Sequence, residues 1–210
     1  MEQVVVSVSS DFTILLAALN SKSSLSRIAA QEELERRGSD SVVKIKLAIT
    51  SGTLKSIGRM HAIWMLVHVE GDDCLEDLFE LAETDSDPRV RAQAVRAVAD
   101  LTDPVLSQHK VFAGRGEEGV AARLAGLVSM NQDSRLVLEV MVALGRLHWS
   151  TAPEWLRDNL DSFKPDPALE HAAMQLLRRA GNWKAVLELL DETDQAATKG
   201  AGLHLLALRA

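Results

Sequence analysis

The sequence is poor in aromatic residues and in cysteine, and each shortage narrows the fold classes open to the chain. Aromatic side chains make up 4% of its 210 residues, and tyrosine is absent. Strands are enriched in β-branched and aromatic residues, which here form no short alternating runs beyond the first few positions. The single cysteine, Cys74, excludes an intrachain disulfide framework. These shortages favour packed helices.

The chain also lacks a long apolar run and an excess of positive charge. No stretch approaches the roughly 18 apolar residues of a membrane-spanning helix, and residues 1–10 have no basic start or long apolar segment typical of a signal peptide. The net charge is −7, whereas proteins that neutralise nucleic-acid phosphates carry a basic face. We therefore expect no membrane span and no nucleic-acid partner, and the sequence does not indicate a compartment.

Internal repetition is what the sequence has instead. Arg27, Arg59 and Arg91 recur at intervals of 32 residues, each followed by Ala three positions later and by Leu or Val seven positions later. These positions share one face of an α-helix, so each repeat is predicted to bury one such stripe. Weaker copies of the column begin at Arg135, Glu170 and Lys199.

A further helical segment precedes each stripe, which predicts a chain of two-helix units. The first helices are expected at 11–19, 41–49, 74–82, 119–128, 153–160 and 183–190. The second helices are expected at 25–37, 57–69, 88–101, 134–147, 167–179 and 195–208. The turns between them contain Asp, Asn and Ser, which cap helix N-termini. The prediction is an all-α fold, an α-α superhelix of about six stacked pairs without a sheet.

Two segments depart from the repeat. Residues 1–9 form an extended lead-in, of which residues 2–8 resemble a short strand, and we interpret it as a remnant of a preceding domain. Residues 103–116 form an insertion between the third and fourth units. The repeat array is therefore predicted to occupy residues 10–210.

The clearest unit, DSDPRVRAQAVRAVADL at residues 85–101, resembles a HEAT repeat. The resemblance lies in the Asp-Pro turn, the pair Val90 and Arg91, and the small apolar stripe that follows. In the HEAT family, antiparallel helix pairs stack into a right-handed superhelix that presents an extended surface to a partner. The resemblance thus implies a non-catalytic scaffold for protein or interdomain interactions.

A narrower similarity covers residues 23–49, 58–71 and 85–98 and is most specific in the string RMHAIW from Arg59 to Trp64. This segment looks like the HEAT part of large planctomycete and verrucomicrobial proteins, in which a β-propeller precedes the repeats and a cytochrome c module often follows. The chain itself has no Cys-x-x-Cys-His haem site. The similarity implies a fragment of a larger bacterial protein that is periplasmic or secreted.

If the Arg-Ala-Leu column faces the core, an outward stripe lies two, five and nine positions after each arginine. Because second helices line the concave face of HEAT solenoids, the resemblance makes this stripe the candidate protein-binding surface. Its chosen residues are His61, Trp64, His68, Gln93, Arg96, Asp100, Gln175 and Arg179. In the fourth unit the same positions are Val137, Val140 and Leu144. The alternative is that Trp64 belongs to the core and the charges form an ordinary solvated face.

The repeat arginines have a structural interpretation of their own. A guanidinium group has five donors, which can bond turn carbonyls or an aspartate such as Asp85 or Asp87. We expect this structural role for Arg27, Arg59, Arg91 and Arg135.

No residue set has the spacing of a catalytic, cofactor or metal site. His61 and His68 are seven residues apart, whereas paired metal ligands on a helix are typically four apart and need a third ligand. Gly114-Arg115-Gly116 lacks the further glycine and lysine of a phosphate-binding loop. Cys74 lies in an apolar segment and is expected to be an inert core thiol. The chain is predicted to have no enzymatic activity, cofactor or metal.

The sequence is also compatible with functions and partners other than those of a scaffold. The main alternative is a HEAT-like alkylpurine DNA glycosylase, whose site could be assembled from Trp64, Arg96 and Asp100, although the acidic balance opposes it. A third is a lyase-like HEAT protein that attaches a chromophore, for which there is no specific motif. Residues 195–210 place leucines on two neighbouring stripes, which predicts self-association or docking to a neighbouring domain.

Overall fold

The computed structural model describes residues 6–111, 114–129, 133–160, 166–191 and 200–210. All regular secondary structure in these ranges is helical, and the helices pack in pairs. The prediction of an all-α fold of stacked helix pairs is confirmed. The predicted strand at 2–8 lies mostly outside the described residues. Among the described helices, none is long and apolar enough to cross a membrane.

The chain divides into two compact units, with the boundary between Val98 and Ala99. The first unit contains α1 (Phe12–Leu19), α2 (Ser24–Arg37), α3 (Ser39–Thr50), α4 (Ser56–Glu70), a 3-10 turn (Gly71–Cys74), α5 (Leu75–Thr84) and most of α6 (Pro88–Thr102). Within it, α1 packs on α2, α3 packs on α4, and the second helices α2 and α4 contact each other.

The second unit continues from the end of α6 with a short helix in the insertion. Its helices are α7 (Pro104–Gln108), α8 (Glu118–Ser129), α9 (Ser134–Arg146), α10 (Ala152–Asn159), α11 (Pro167–Ala180), α12 (Trp183–Asp191) and α13 (Gly200–Arg209). The pairs are α8 with α9, α10 with α11, and α12 with α13. The second helices α9, α11 and α13 also contact one another in sequence.

Capping side chains and glycines set many of the helix boundaries. Asp133 accepts bonds from two backbone N–H groups at the start of α9, and Asp166 accepts one at the start of α11. Gly38 and Gly71, with φ of +61° and +58°, end α2 and α4 in a backbone conformation that other residues avoid. The observed boundaries lie within about two residues of the predicted ones wherever both ends are described, a margin expected between assignment methods.

The three regular repeats bury the predicted stripe. Ala30 and Leu34 in α2, Ala62 and Leu66 in α4, and Ala94 and Val98 in α6 are all fully inaccessible to solvent. The small alanine in mid-stripe lets a neighbouring second helix approach closely, and α2 and α4 are in contact. The predicted core face is therefore confirmed for these helices.

The prediction for α9 was wrong by a rotation about the helix axis. Arg135 and Val142, expected in the buried column, are exposed, with Val142 at 44%. Val137, Val140 and Leu144, expected to face outward, are buried. Apolar residues surround α9 almost completely, so the helical period alone does not select one stripe. The packing of α8 and α11 against α9 selects it.

Candidate functional site

The repeat arginine Arg59 joins the turn before its own helix to the corresponding turn of the next repeat, between α5 and α6. Its Nε and Nη2 atoms donate to the two carboxylate oxygens of Asp85 at 2.7 and 2.8 Å, and its Nη1 donates to the carbonyl oxygen of Leu54 at 2.9 Å. The Asp85 side chain is 5% exposed. This is the bidentate arrangement that a planar guanidinium favours.

The other repeat arginines differ from Arg59 in their partners. Arg27 donates to the carbonyl of Ser21 at 2.8 Å, and Arg91 donates to the carbonyl of Ala82 at 2.9 Å. In both cases the acceptor lies in the turn or helix end that precedes the arginine's own helix. Arg135 is exposed, and its backbone N–H bonds the capping Asp133. Three of the four repeat arginines, Arg27, Arg59 and Arg91, thus donate hydrogen bonds to backbone carbonyls.

Two of the predicted binding residues, His61 and His68, are joined to α2 by hydrogen bonds. His61 Nε2 accepts from Arg27 Nε at 3.1 Å, so Nδ1 carries the proton and donates to Gln31 Oε1 at 2.7 Å. Burial, assisted by the charge of Arg27, lowers the pKa of His61. His61 is therefore a neutral link between α2 and α4 at neutral pH.

The hydrogen bonds continue along the two helices. Gln31 Nε2 donates to Glu35 Oε1 at 2.7 Å, and the same oxygen lies 2.8 Å from His68 Nδ1. We call the four side chains Gln31, Glu35, His61 and His68 the α2–α4 ladder. Because these groups pair with one another, a partner that bound here would have to replace existing hydrogen bonds.

The remaining predicted binding residues are placed less uniformly. Trp64 is half-buried, so it belongs fully neither to the core nor to the surface. Gln93 is also half-buried, and Arg96 is exposed. Asp100 accepts a hydrogen bond from Arg146 Nη1 at 2.6 Å. Gln175 and Arg179 line a groove in the second unit.

This α9–α11 groove has a volume of about 570 Å³ and lies between two second helices. Gly145 near the end of α9 lies against Leu176 and Arg179 near the end of α11, where an added Cβ would be 3.5 Å from Arg179 Cδ. Ala168 and Ala172 form part of the α11 side. Small residues on both helices therefore bring the backbones together at the base and leave space above it.

The two walls of the α9–α11 groove differ in chemistry. Leu138 and the exposed Val142 make the α9 wall apolar. His171, Gln175 and Arg179 make the α11 wall polar. Among the described residues that line the groove, none is Asp or Glu. An apolar wall facing hydrogen-bonding groups is the general composition of a ligand-binding cleft.

A second groove, between α3 and α5 in the first unit, is filled with paired charges. Its volume is about 460 Å³. Lys46 Nζ lies 2.9 Å from both Glu70 and Asp77. Burial opposes the charged form of Lys46, but these two carboxylates outweigh burial and raise its pKa. Both cations that line it are paired, Lys46 with Asp77 and Glu70 and Arg59 with Asp85, so this groove is the weaker candidate.

The described residues also settle the state of Cys74. Its Sγ donates to the carbonyl oxygen of Gly71 at 3.1 Å, and burial raises the pKa of the thiol to about 11. The thiolate, which is the reactive form, is thus disfavoured at neutral pH. Within the described ranges, no three His, Cys, Asp or Glu side chains converge as metal ligands would.

Sequence reasoning missed the apolar wall of the α9–α11 groove. The repeat column predicts that Leu138 and Val142 lie in the core, and no residue spacing marks His171 as a site residue. One feature of the sequence does indicate this wall: α9 has more apolar residues than one buried stripe requires. Small residues at Gly145, Ala168 and Ala172 were a second signal.

Residues 55–109 match the family model of HEAT repeats. The match spans α4, the 3-10 turn, α5, α6 and α7, and it includes the Arg59–Asp85 pair. A comparison with curated proteins found no match. The matched segment is thus similar to HEAT repeats in sequence.

Proposed function

We propose that this protein is a non-catalytic HEAT-repeat scaffold that binds a segment of another protein, or of a neighbouring domain, on the face formed by its second helices. The α9–α11 groove is the observation that carries the proposal. Its volume lies within the roughly 300–1,000 Å³ typical of ligand clefts. HEAT repeats serve generally as interaction scaffolds, and the match over residues 55–109 supports that role here.

The non-catalytic part of the proposal rests on the states of the most reactive groups. Cys74 is fully buried with a pKa raised to about 11, which disfavours nucleophilic attack at neutral pH. His61 uses both ring nitrogens in the α2–α4 ladder. Neither group is prepared to activate a substrate.

A specific observation bears on the glycosylase alternative. Asp100, the acid that such a site would need, is bonded to Arg146 at 2.6 Å. We expect no base-excision activity, and no binding of duplex DNA tighter than the roughly 10⁻⁴–10⁻⁶ M typical of nonspecific complexes at physiological salt. A gel-shift titration with duplexes that do and do not contain an alkylated purine measures both. Tight binding selective for the lesion would favour the glycosylase instead.

We also propose, from the residues that resemble the planctomycete and verrucomicrobial proteins, that the chain functions within a larger bacterial protein. The support is the string from Arg59 to Trp64 and the repeats around it. Sequencing the flanking coding region tests this. A propeller upstream and a Cys-x-x-Cys-His motif downstream are expected, and their absence from a complete reading frame contradicts the parentage.

Peptide selection tests the scaffold function. A displayed library of random peptides, about 16 residues or four helical turns long, is selected on the immobilised chain. Binders are then measured against His68→Asp and Val142→Asp, which alter second helices of the two units. The matched control is Val43→Asp on the first helix α3, where Val43 is 73% exposed.

If the second helices form the binding face, at least one second-helix variant should weaken binding by about tenfold, which is 1.4 kcal/mol. Val43→Asp should have no effect. Loss of binding with Val43→Asp alone would assign recognition to the first helices. Failure to select any peptide would contradict the scaffold function. Circular dichroism of each variant establishes that it is folded.

A further inference from the structure

We propose that the α9–α11 groove binds an amphipathic protein segment that places aliphatic side chains against α9 and an acidic side chain against Arg179. This inference rests on the proposed scaffold function and names the chemistry of its partner. The proposed binding surface is thus the α9–α11 groove and not the α2–α4 ladder.

The α9 wall offers anchoring positions for aliphatic side chains. Leu138 and Val142 are one helical turn apart, and Met141 and Gly145 form the adjacent row at the base. Val142 is 44% exposed although its neighbours Met141 and Ala143 are buried. Covering this apolar strip would stabilise a complex by removing it from water.

The α11 wall offers hydrogen-bonding groups that are not already engaged. His171, Gln175 and Arg179 follow one another at intervals of four residues, so they form a row along the helix. Among the described residues, the structure records no hydrogen-bond or ion-pair partner for these three side chains. Polar groups that lose water on complex formation need a partner's donors and acceptors to replace it.

The first unit shows the contrasting arrangement. There the polar groups of α2 and α4 face each other and bond directly, as Gln31 does with His61 and Glu35 with His68. In the second unit the polar row of α11 faces apolar residues on α9. Within the described residues, the α9–α11 groove is thus a second-helix surface whose polar side chains have no protein partner and are available to bind one.

Charge determines which polar residues the partner carries. The whole chain has a net charge of −7, yet no Asp or Glu is found among the described lining residues of this groove. Arg146 is paired with Asp100 at 2.6 Å and with Asp103 at 2.9 Å, so its charge is compensated. Arg179 is exposed and supplies the uncompensated cation, and a carboxylate is its natural partner.

The groove favours a protein segment over a nucleic acid. Affinity for a phosphate backbone comes from several cations that release counterions together, and here one uncompensated arginine lies beside an aliphatic wall. An aliphatic strip and one cation fit the two sides of an amphipathic helix that has leucines on one face and a glutamate at its edge.

The test uses the peptides selected on the full chain and three exposed substitutions. Arg179→Glu reverses the proposed contact, and Val142→Asp places a charge on the apolar wall. Arg178→Glu is the matched control, because Arg178 is also exposed on α11 and makes the same charge change without lining the groove. Fluorescence anisotropy with labelled peptides gives the dissociation constants.

The selected peptides are expected to combine spaced aliphatic residues with Asp or Glu. Arg179→Glu and Val142→Asp should each weaken binding at least tenfold, and Arg178→Glu less than twofold. Replacing the peptide's acidic residue by Gln or Asn should weaken binding to the wild-type chain but not to Arg179→Glu. That coupling is not expected from a merely structural role of Arg179.

Four outcomes overturn the proposal. Peptides that bind but respond only to His68→Asp leave the scaffold function standing and place recognition in the first unit. Peptides without acidic residues, or with basic ones, refute the assigned chemistry. Tighter binding of single-stranded or duplex DNA than of any peptide, lost in Arg179→Glu, assigns the groove to nucleic acid. If no peptide is selected, both proposals fail.

Discussion

At the scale of single residues, Arg27, Arg59 and Arg91 each bond a backbone carbonyl in the turn or helix end before their own helix. Arg59 combines a carbonyl of Leu54 with the carboxylate of Asp85, while Arg27 and Arg91 bond the carbonyls of Ser21 and Ala82. The acceptors at helix ends have no helical partner of their own. In the three regular repeats, one guanidinium therefore satisfies a carbonyl that the helix geometry leaves open.

Arg91→Ala is expected to lower the free energy of unfolding by about 1–3 kcal/mol, because the carbonyl of Ala82 loses a charged donor. Arg27→Ala and Arg59→Ala should behave alike. Lys184→Ala is the control, since Lys184 and its partner Glu188 are both largely exposed, an arrangement worth about 0–1 kcal/mol. Denaturant unfolding measures all four, and equal effects of Arg91→Ala and Lys184→Ala would refute the structural role.

Glu33 gives the first unit a defined response to acid. Hydrogen bonds from Arg36 and Arg37 lower its pKa to about 2, against an ordinary value of 4.5. A lowered carboxyl pKa means that the unfolded chain binds protons first as the pH falls. The stabilisation that ionised Glu33 gives the folded chain is therefore present above pH 4.5 and is lost progressively as the pH falls towards 2.

Glu33→Gln is expected to flatten the pH dependence of stability between pH 4.5 and 2, because the titrating group is removed. Glu32→Gln is the control on the same helix, where Glu32 is exposed. Thermal unfolding across this pH range measures the slope. An unchanged slope in Glu33→Gln would show that other carboxylates dominate.

At the scale of elements, the side chain of Asn20 joins the α1–α2 turn to the start of α4. Its Nδ2 donates to the carbonyl of Thr53 at 3.1 Å, and its Oδ1 accepts from the backbone N–H of Lys55 at 2.7 Å. Gly58 leaves room for this link, because a Cβ there would lie 2.6 Å from Asn20 Oδ1. Glycine is needed at position 58 because the Asn20 side chain approaches the helix closely there, and not because the backbone adopts an unusual φ angle.

Gly58→Ala is expected to destabilise the fold by about 1–2 kcal/mol, because displacing Asn20 and crowding Leu54 outweigh the gain of about 1 kcal/mol in helix propensity. Gly126→Ala in α8 is the matched control. A Cβ there meets nothing within 4 Å, so this change should stabilise by about 0.5–1 kcal/mol. In an Asn20→Ala background the cost of Gly58→Ala should shrink, and an undiminished cost would point to another clash.

At the scale of the whole molecule, the chain consists of two compact units with different second-helix surfaces. The α2–α4 ladder satisfies its own polar groups, and the α9–α11 groove does not. Helix α13 adds an apolar surface to the second unit. Leu203 and Leu206 are buried, whereas Leu205 and Leu208 are 45% and 72% exposed.

The stripe of Leu205 and Leu208 is expected to cause weak, concentration-dependent association through residues 195–210, because each Å² of apolar surface left in water forfeits about 25 cal/mol. Sedimentation over a range of concentrations measures it, and Leu205→Glu with Leu208→Glu should abolish it. Leu187→Glu on α12, where Leu187 is 59% exposed, is the control. A wild-type chain that stays monomeric at high concentration contradicts the expectation.

The amino-acid sequence determined the helix pairs and the core of the regular repeats. Local signals agree there: a capping residue or glycine at the helix end, an arginine column at a constant interval, and one apolar stripe per helix. In α2 and α6, the Arg-Ala-Leu or Arg-Ala-Val column that recurs every 32 residues marks which positions face the core. For this reason Ala30, Leu34, Ala94 and Val98 could be placed before any coordinates were known.

Only the tertiary structure decided the orientation of α9, and with it the α9–α11 groove. Apolar residues on nearly every side of α9 permit several rotations of similar energy, and contacts from α8 and α11 choose among them. The pairing of His61 with Gln31 and of Arg59 with Asp85 likewise joins residues 30 and 26 positions apart. Such pairings depend on which helices become neighbours and how closely they approach, and a local sequence pattern does not encode that distance.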